Sequence, residues 1–219
     1  MEAFKIPKRL NKLIGTYPDA KIINEIAKEG STEDRIAITR LWLSEGIPYV
    51  FKDFPGIYET IRTWIAQRLD VHPKNISITG SARIGTSLSP NKLGDQFNEK
   101  SDLDFFVVSE ELFDKLRIDF NTWSYDFEKG TIFPLNDREE KFWKDNLERG
   151  IKLFEKGFFD PHLVPNREQY LQVKNISQTM WLLHKKLTIT DEIPNVSKVS
   201  LRCYRNWSDY TRQTSLNLK

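Results

Sequence analysis

Helical spacing of apolar residues dominates the first 72 residues of the chain. Segments that begin near Pro18, Ser31 and Phe54 place apolar side chains three or four positions apart. Gly30 and Gly46 end the first two segments, and an acidic first turn after Ser31 is typical of a helix start. The pattern therefore predicts three helices before residue 72.

Beyond residue 72, strand patterns alternate with helical ones. Four segments are predicted as strands because they are short and either alternating or continuously apolar: 75–79, the run that contains Asp102 and Asp104, 157–164 and 199–204. Helical patterns cover 110–127, 138–156 and 169–187, a short helix or turn is expected at 81–90, and the polar segment 90–100 is expected to be a loop. This alternation predicts an α/β (α+β) fold.

The chain has no repeat, low-complexity block or linker, which favours one domain over 1–219. Its parts are N-terminal helices (1–72), a sheet region (73–165) and a C-terminal helical and strand part (166–219).

Composition excludes several classes of protein. The chain has 33 Lys and Arg against 31 Asp and Glu, a net charge of +2. So small a net charge is not typical of a protein that binds along a nucleic-acid backbone. The single cysteine, Cys203, allows no internal disulfide and indicates a reducing compartment. No signal core or membrane-length apolar run is present, so the expectation is a cytoplasmic protein without a membrane segment.

Two carboxylates in one strand are the most informative chemical feature. Asp102 and Asp104 are two positions apart and precede Phe105-Phe106-Val107-Val108. Residues i and i+2 of a strand point to the same face, so both carboxylates leave an apolar strand side by side. Their repulsion is relieved by a cation, and Mg²⁺ or Mn²⁺ prefers such oxygen ligands. The alternative is a solvated pair at the end of a strand.

A Gly-Ser pair follows the strand predicted at 75–79. Gly80 permits a close approach of backbone to a ligand, and a helix that begins at Ser81 would direct free N–H groups and a hydroxyl at an anion. The alternative is an ordinary strand-to-helix turn. Together with the acid pair, this turn predicts a site for phosphoryl or nucleotidyl transfer.

The combination of Gly80-Ser81 with Asp102-Leu103-Asp104 in an apolar strand resembles the DNA polymerase β-type nucleotidyltransferase superfamily. It is most similar to bacterial minimal members and to those related to oligoadenylate and cyclic-nucleotide synthases. The resemblance covers about residues 75–109. It implies a small mixed sheet of a nucleotidyltransferase fold, flanked by N- and C-terminal helices. The 20 residues between Ser81 and Asp102 exceed the family's usual spacing, and the polar loop 90–100 accounts for the surplus.

The resemblance also implies the roles of individual residues. Gly80 and Ser81 would hold the phosphates of a nucleoside triphosphate, and Asp102 and Asp104 would bind Mg²⁺ or Mn²⁺, with a third carboxylate from a later strand. Asp160 is our choice for that third catalytic and metal-binding acid, because it lies in a predicted strand that follows a long helix, the order found in the family.

Other interpretations of the acids remain open. Asp160 precedes a proline and could instead start a turn. Three rivals lie near the start of the helix predicted at 138–156, namely Asp137, Glu139 and Glu140.

Further contacts to the nucleotide are predicted from position. Arg83 and Thr86, within about one helical turn of the Gly-Ser pair, could reach the phosphates or the base, although a surface arginine is an equal alternative. The segment 202–207 interleaves arginines with aromatic residues; it could stack a nucleobase or simply belong to the core.

The sequence thus predicts a metal-dependent nucleotidyltransferase that moves a nucleotide from a nucleoside triphosphate to a hydroxyl acceptor. RNA, a nucleotide, a protein or a small molecule would all suit as acceptor, and neither the base preference nor the oligomeric state can be read from the chain. The resemblance implies bacterial antiviral defence or a toxin–antitoxin system as the setting. The alternatives are a degenerate nucleotide- or RNA-binding member and a regulator of a toxin. A zinc site and a P-loop are not supported, because the three histidines are scattered and no Walker motif occurs.

Overall fold

The structure is a computed structural model that describes residues 3–4, 7 and 9–218. Within these residues the chain forms a mixed α/β fold of eight α-helices around a small sheet. The helices are α1 (Ala20–Glu29), α2 (Thr32–Leu41), α3 (Pro55–Leu69), α4 (Ser81–Ile84), α5 (Glu110–Glu128), α6 (Asp137–Glu155), α7 (Leu171–Leu187) and α8 (Trp207–Leu216). The strands are β1 (Ile76–Thr79), β2 (Asp102–Val108), β3 (Phe158–Phe159) and β4 (Lys198–Tyr204).

Capping side chains set the starts of the predicted helices. Asp19 accepts a hydrogen bond from the backbone N–H of Lys21 at the start of α1. Ser31 and Asp34 form a reciprocal capping box at the start of α2. Each bond satisfies an N–H group that has no partner inside its helix, which is why these helices begin where the sequence predicts.

The four strands lie in the order β1-β2-β4-β3. The outer pairs β1–β2 and β4–β3 are antiparallel, whereas β2 and β4 at the centre are parallel. The long excursion through α5, α6, β3 and α7 separates the two parallel strands in the sequence, as a parallel connection requires. The sheet is therefore mixed, and β2 with its two acids lies in its interior.

The two faces of the sheet are covered very differently. One face packs against α5, α6 and α7, where Phe159 stacks on Phe154 with ring centroids 4.2 Å apart. On the other face, Phe106 stacks on Tyr210 of α8 at 4.3 Å. The acids share the face that α8 covers, and because Asp102 is exposed and Asp104 half-buried, that end of the face remains accessible.

Two parts of the C-terminal half differ from the sequence prediction. The strand predicted over 157–164 contains only Phe158 and Phe159, because Pro161 lacks an N–H group and begins a 3₁₀ turn. Helix α8 was not predicted, although Asn206 caps it by accepting a hydrogen bond from the N–H of Asp209. That Asn-x-x-Asp spacing is the local signal for the helix start.

In the part of the chain that the structure describes, no helix is both long enough and apolar enough to cross a bilayer.

Candidate functional site

The acid pair lies on one face of β2, as the alternation of the strand requires. Asp104 is paired in register with Thr79 of β1 on one side and with Ser200 of β4 on the other. Asp102 is paired with Lys198 in the same way. Because paired residues of neighbouring strands share a face, two acids, two hydroxyls and one lysine form a polar patch on an otherwise apolar sheet.

The two oxygens of Asp104 have different surroundings. The hydroxyl of Ser200 donates to Asp104 Oδ1 at 2.5 Å. The other oxygen, Oδ2, faces the turn after β1, since a Cβ built on Gly80 would lie 3.9 Å from it. The turn and the carboxylate that the sequence places 24 positions apart are therefore neighbours.

The turn itself has a conformation that favours glycine. Gly80 has φ +72° and ψ −157°, in a region that residues with a Cβ almost never occupy. The helix that follows, α4, is a single turn, so it contributes little dipole. Its N-cap residue is Gly80, which has no side chain, and the first N–H groups of α4 therefore receive no capping hydrogen bond. Those N–H groups and the half-buried Ser81 hydroxyl are what this turn can offer to an anion.

We expect Gly80→Ala to lower the free energy of unfolding by about 1–3 kcal/mol because of this backbone strain. Its methyl group would also enter the space between the turn and Asp104 and weaken the binding of an anion such as a nucleotide phosphate there. Urea unfolding and calorimetric titration with ATP measure the two effects. Gly56→Ala is the matched control, since Gly56 has no positive φ and a Cβ there meets nothing within 4 Å. Equal stability of the two variants would contradict the assignment.

A cavity of about 460 Å³ opens on the polar patch. Its wall is built from the ends of β1, β2 and β4, the loop after α4, the segment that follows β3, and the C-terminal end of α8. The polar and charged groups at its surface include those of Thr79, Gly80, Asp104, Asp160, His162, Lys198, Ser200 and Arg202. This volume lies in the range of small-molecule sites.

Asp160 lies on this cavity but is engaged in an ion pair. Arg202 donates to it twice, from Nε to Oδ1 at 2.7 Å and from a terminal nitrogen to Oδ2 at 3.0 Å, and Arg149 lies 3.6 Å from Oδ2. Burial alone would lower the pKa of Arg202, but the hydrogen bond and charge of Asp160 outweigh burial and raise it. Among the described residues, no group of three or more His, Cys, Asp or Glu side chains is placed to hold a metal ion. The third acid of the prediction is thus near the pair but held by a cation.

Arg83 and Thr86 lie away from the cavity wall. Arg83 is 2% exposed, and it donates to the carbonyl groups of Trp42 at 3.0 Å and Gly46 at 2.9 Å. Burial lowers the pKa of this arginine, and the two carbonyl groups accept its hydrogen bonds. Arg83 therefore anchors the connection between α2 and α3. Thr86 is buried, and its backbone forms an isolated antiparallel β-bridge with Gln96. Its hydroxyl has no hydrogen-bond partner among the described residues.

Strand β4 contributes three side chains that sequence reasoning did not assign to the site. Lys198, Ser200 and Arg202 alternate with the buried residues Val199 and Leu201. This period of two was a usable signal, because it predicts that the three polar side chains share one face. What the sequence could not show is that β4 is the parallel neighbour of β2.

A second cavity, of about 360 Å³, adjoins the first between α7 and β4. The two cavities share His162, Lys198, Ser200 and Leu201. Burial lowers the pKa of His162, and the charge of Asp160 only partly opposes this effect. The imidazole between the cavities is therefore neutral at pH 7.

Comparison of the chain with models of known protein families gives no match. No curated protein and no solved structure shows significant similarity to it either.

Proposed function

We propose that this chain is a metal-dependent nucleotidyltransferase with the nucleotidyltransferase fold, which moves a nucleoside monophosphate from a nucleoside triphosphate to an acceptor hydroxyl. The observation that carries the proposal is the position of the Gly80 turn beside Asp104, where a Cβ built on Gly80 would lie 3.9 Å from Asp104 Oδ2. A phosphate site and a carboxylate pair are the two parts that this reaction requires.

The oxygen ligands at the patch fit a divalent cation. Asp102 and Asp104 share a face. Ser200 donates to Oδ1 of Asp104, whereas Oδ2 accepts no hydrogen bond from the described residues. Mg²⁺ in nucleotide sites is held by one or two carboxylates together with water and substrate phosphates, so two acids suffice. When bound there, the ion would neutralise phosphate charge and polarise the α-phosphate.

The residues of the chain supply positioning and charge. Backbone N–H groups at Gly80 and Ser81 would hold the terminal phosphates, and Lys198 and Arg202 on the cavity wall would favour the negative charge of the triphosphate as a whole. Catalysis of this kind depends on placing the groups rather than on covalent work by the protein.

A direction of attack follows from the proposed phosphate site. If the terminal phosphates are held at the β1 end, the acceptor would approach from the β4 end, where the second cavity opens. The acceptor oxygen bonds to the α-phosphorus, the bond from that phosphorus to the bridging oxygen breaks, and pyrophosphate leaves on the opposite side. The hydroxyl proton passes to a carboxylate of the patch or to water.

The test is incubation with each α-labelled nucleoside triphosphate and Mg²⁺ or Mn²⁺, in the presence of RNA, nucleosides, proteins or small hydroxyl compounds. We expect a labelled acceptor and pyrophosphate in equal amounts. Asp102→Asn with Asp104→Asn is the inactive control. A chain that binds no triphosphate at all would contradict the proposal.

Nucleotide binding without transfer is the second candidate function. The bidentate contact between Arg202 and Asp160 favours it, because a carboxylate held by arginine is not free to complete a metal shell. In a transferase, Arg202 would turn to the phosphates and release Asp160 to the carboxylate pair. Triphosphate binding with no turnover on any acceptor would select the second candidate.

We expect Asp160→Asn to lower turnover by about 10–100-fold, the usual effect of removing a supporting carboxylate. The same change removes the charge that holds Arg202 and should lower the free energy of unfolding by about 1–3 kcal/mol. Glu148→Gln is the control, since Glu148 pairs with Lys152 on the exposed side of α6. Unchanged turnover of a folded Asp160→Asn variant would remove Asp160 from the site.

A further inference from the structure

A third cavity, also polar, lies at the N-terminal end of α8, whereas the candidate catalytic cavity lies at its C-terminal end. Its volume is about 640 Å³, and its wall comes from the end of α2 and the loop after it, from α3, from the edge strand β1 and from the first turns of α8. We call it the basic cleft. The side chains used below are Arg40, Ser44, Glu45, Tyr58, Arg62, Lys74 and Trp207.

Positive charge is concentrated in the basic cleft. Arg40, Arg62 and Lys74 line it, against one carboxylate, Glu45. The whole chain carries a net charge of only +2, so this cleft holds a local excess. Among the described residues, Arg40 and Lys74 take part in no ion pair. Cations without partners in a concave site favour an anionic ligand.

Arg62 is held in place before any ligand arrives. Its guanidinium stacks over the ring of Tyr58, 4.7 Å from the centroid, and contacts Glu59 on the same helix. Its Nε is buried and has no acceptor among the described residues. A buried donor without a partner is costly, and because Arg62 lines the cleft, an anion there would compensate its charge.

Trp207 adds a flat aromatic surface to the cleft. Its ring packs edge-on against Phe106 and Tyr210, with centroids 6.2 and 5.6 Å away, and 43% of the residue remains exposed. A tryptophan held by two aromatic neighbours and still largely exposed can stack a nucleobase.

A wall separates the basic cleft from the catalytic cavity. The hydroxyl of Tyr210 on α8 donates to the carbonyl of Leu43 at 2.8 Å. Leu43 lines the catalytic cavity and its neighbour Ser44 lines the cleft. The two sites therefore share elements but not side chains.

We propose that the basic cleft binds the phosphate groups of a nucleotide, with its base on Trp207, as a site separate from the catalytic cavity. The nucleotide is either free or part of a single strand of RNA, since both offer phosphate beside an aromatic ring. The proposal does not depend on nucleotidyl transfer.

Fluorescence anisotropy with two probes tests the proposal: fluorescein-labelled dodecauridylate for the strand and N-methylanthraniloyl-AMP for the free nucleotide. Both are measured in the Asp102→Asn, Asp104→Asn background, in which the catalytic metal site is removed, at several salt concentrations. Tighter binding of dodecauridylate identifies a strand, and tighter binding of the AMP probe identifies a free nucleotide. Failure of both probes to bind would overturn the proposal.

Paired charge variants give the decisive comparison. Arg40→Gln with Lys74→Gln should weaken binding of the preferred probe at least about tenfold. If that probe is the strand, the slope of log affinity against log salt should also fall by about 1.4, which is about 0.7 for each lost phosphate contact. Lys144→Gln with Lys152→Gln on α6 removes the same charge from an exposed face, where both lysines pair with glutamates. Equal loss in the two double variants would overturn the proposal.

Trp207→Leu tests the aromatic part and should weaken the preferred probe about fivefold or more. Thermal melting checks that the variant is folded. Wild-type affinity of folded Trp207→Leu would overturn the base contact. Turnover of labelled triphosphates is scored separately, so the failure of this proposal and the failure of nucleotidyl transfer remain distinguishable.

Discussion

Replacing Asp104 by Asn is expected to lower nucleotidyl transfer by at least about 10²–10³-fold, because the change removes half of the carboxylate pair that, in the proposed mechanism, would hold the divalent ion that neutralises phosphate charge. The amide oxygen can still accept the hydrogen bond of Ser200, which Asp104 Oδ1 accepts at 2.5 Å in the wild type. The variant should therefore remain folded. Turnover of α-labelled triphosphate measures the first effect and thermal melting the second.

Two comparisons make the Asp104 prediction specific. Asp114→Asn removes the same charge from the exposed surface of α5, where Asp114 lies 3.8 Å from Arg117, and should leave turnover unchanged. Mg²⁺ with triphosphate should raise the melting temperature of the wild type but not of Asp104→Asn. Wild-type turnover of Asp104→Asn would show that the carboxylate pair has no part in the reaction.

Phe106→Ala is expected to lower the free energy of unfolding by about 3–5 kcal/mol, the usual effect of removing a fully buried aromatic ring. Phe106 has no exposed surface and stacks on Tyr210 at 4.3 Å. It also packs edge-on against Tyr204 and Trp207. The ring therefore connects β2 to β4 and to α8, and its removal would leave a cavity bordered by all three elements. Equilibrium urea unfolding is the measurement.

Phe142→Ala is the matched control for this prediction. Phe142 lies on α6 and is 53% exposed, so its removal should change the free energy of unfolding by no more than about 0.5 kcal/mol. Phe106 also borders the catalytic cavity, and Trp207, which packs against it, lines the basic cleft. We therefore expect Phe106→Ala to weaken ligand binding at both sites. A loss of stability as small as that of Phe142→Ala would contradict the packing described here.

Local sequence patterns were sufficient for most of the secondary structure. Most elements begin and end within a few residues of the predicted positions, namely the helices α1, α2, α3, α5, α6 and α7 and the strands β1, β2 and β4. Their apolar spacing and capping residues act within a few positions along the chain, so one sequence contains the whole signal. Helix α8 was missed because its apolar face is short, and the strand around Phe158 is short because Pro161 stops the pairing.

Partners of charged side chains could not be predicted in the same way. Position along the chain suggested that Arg83 would reach a phosphate, but it donates to the carbonyl groups of Trp42 and Gly46, about 40 positions earlier. Asp160 was expected to join Asp102 and Asp104, but Arg202 of β4 holds it. A long charged side chain can pair with any suitable group within its reach, and which groups lie within reach depends on which strands are neighbours.

The sequence alone determined that Asp102 and Asp104 share a face, since the period of two is a property of the strand itself. It also determined that the residue after β1, Gly80, can adopt a backbone conformation with positive φ, because glycine has no Cβ. Only the tertiary structure decided that β4 lies beside β2, and with it which side chains surround the acids. Strand order and long-range ion pairs arise from packing between segments far apart in the chain, and no local pattern contains them.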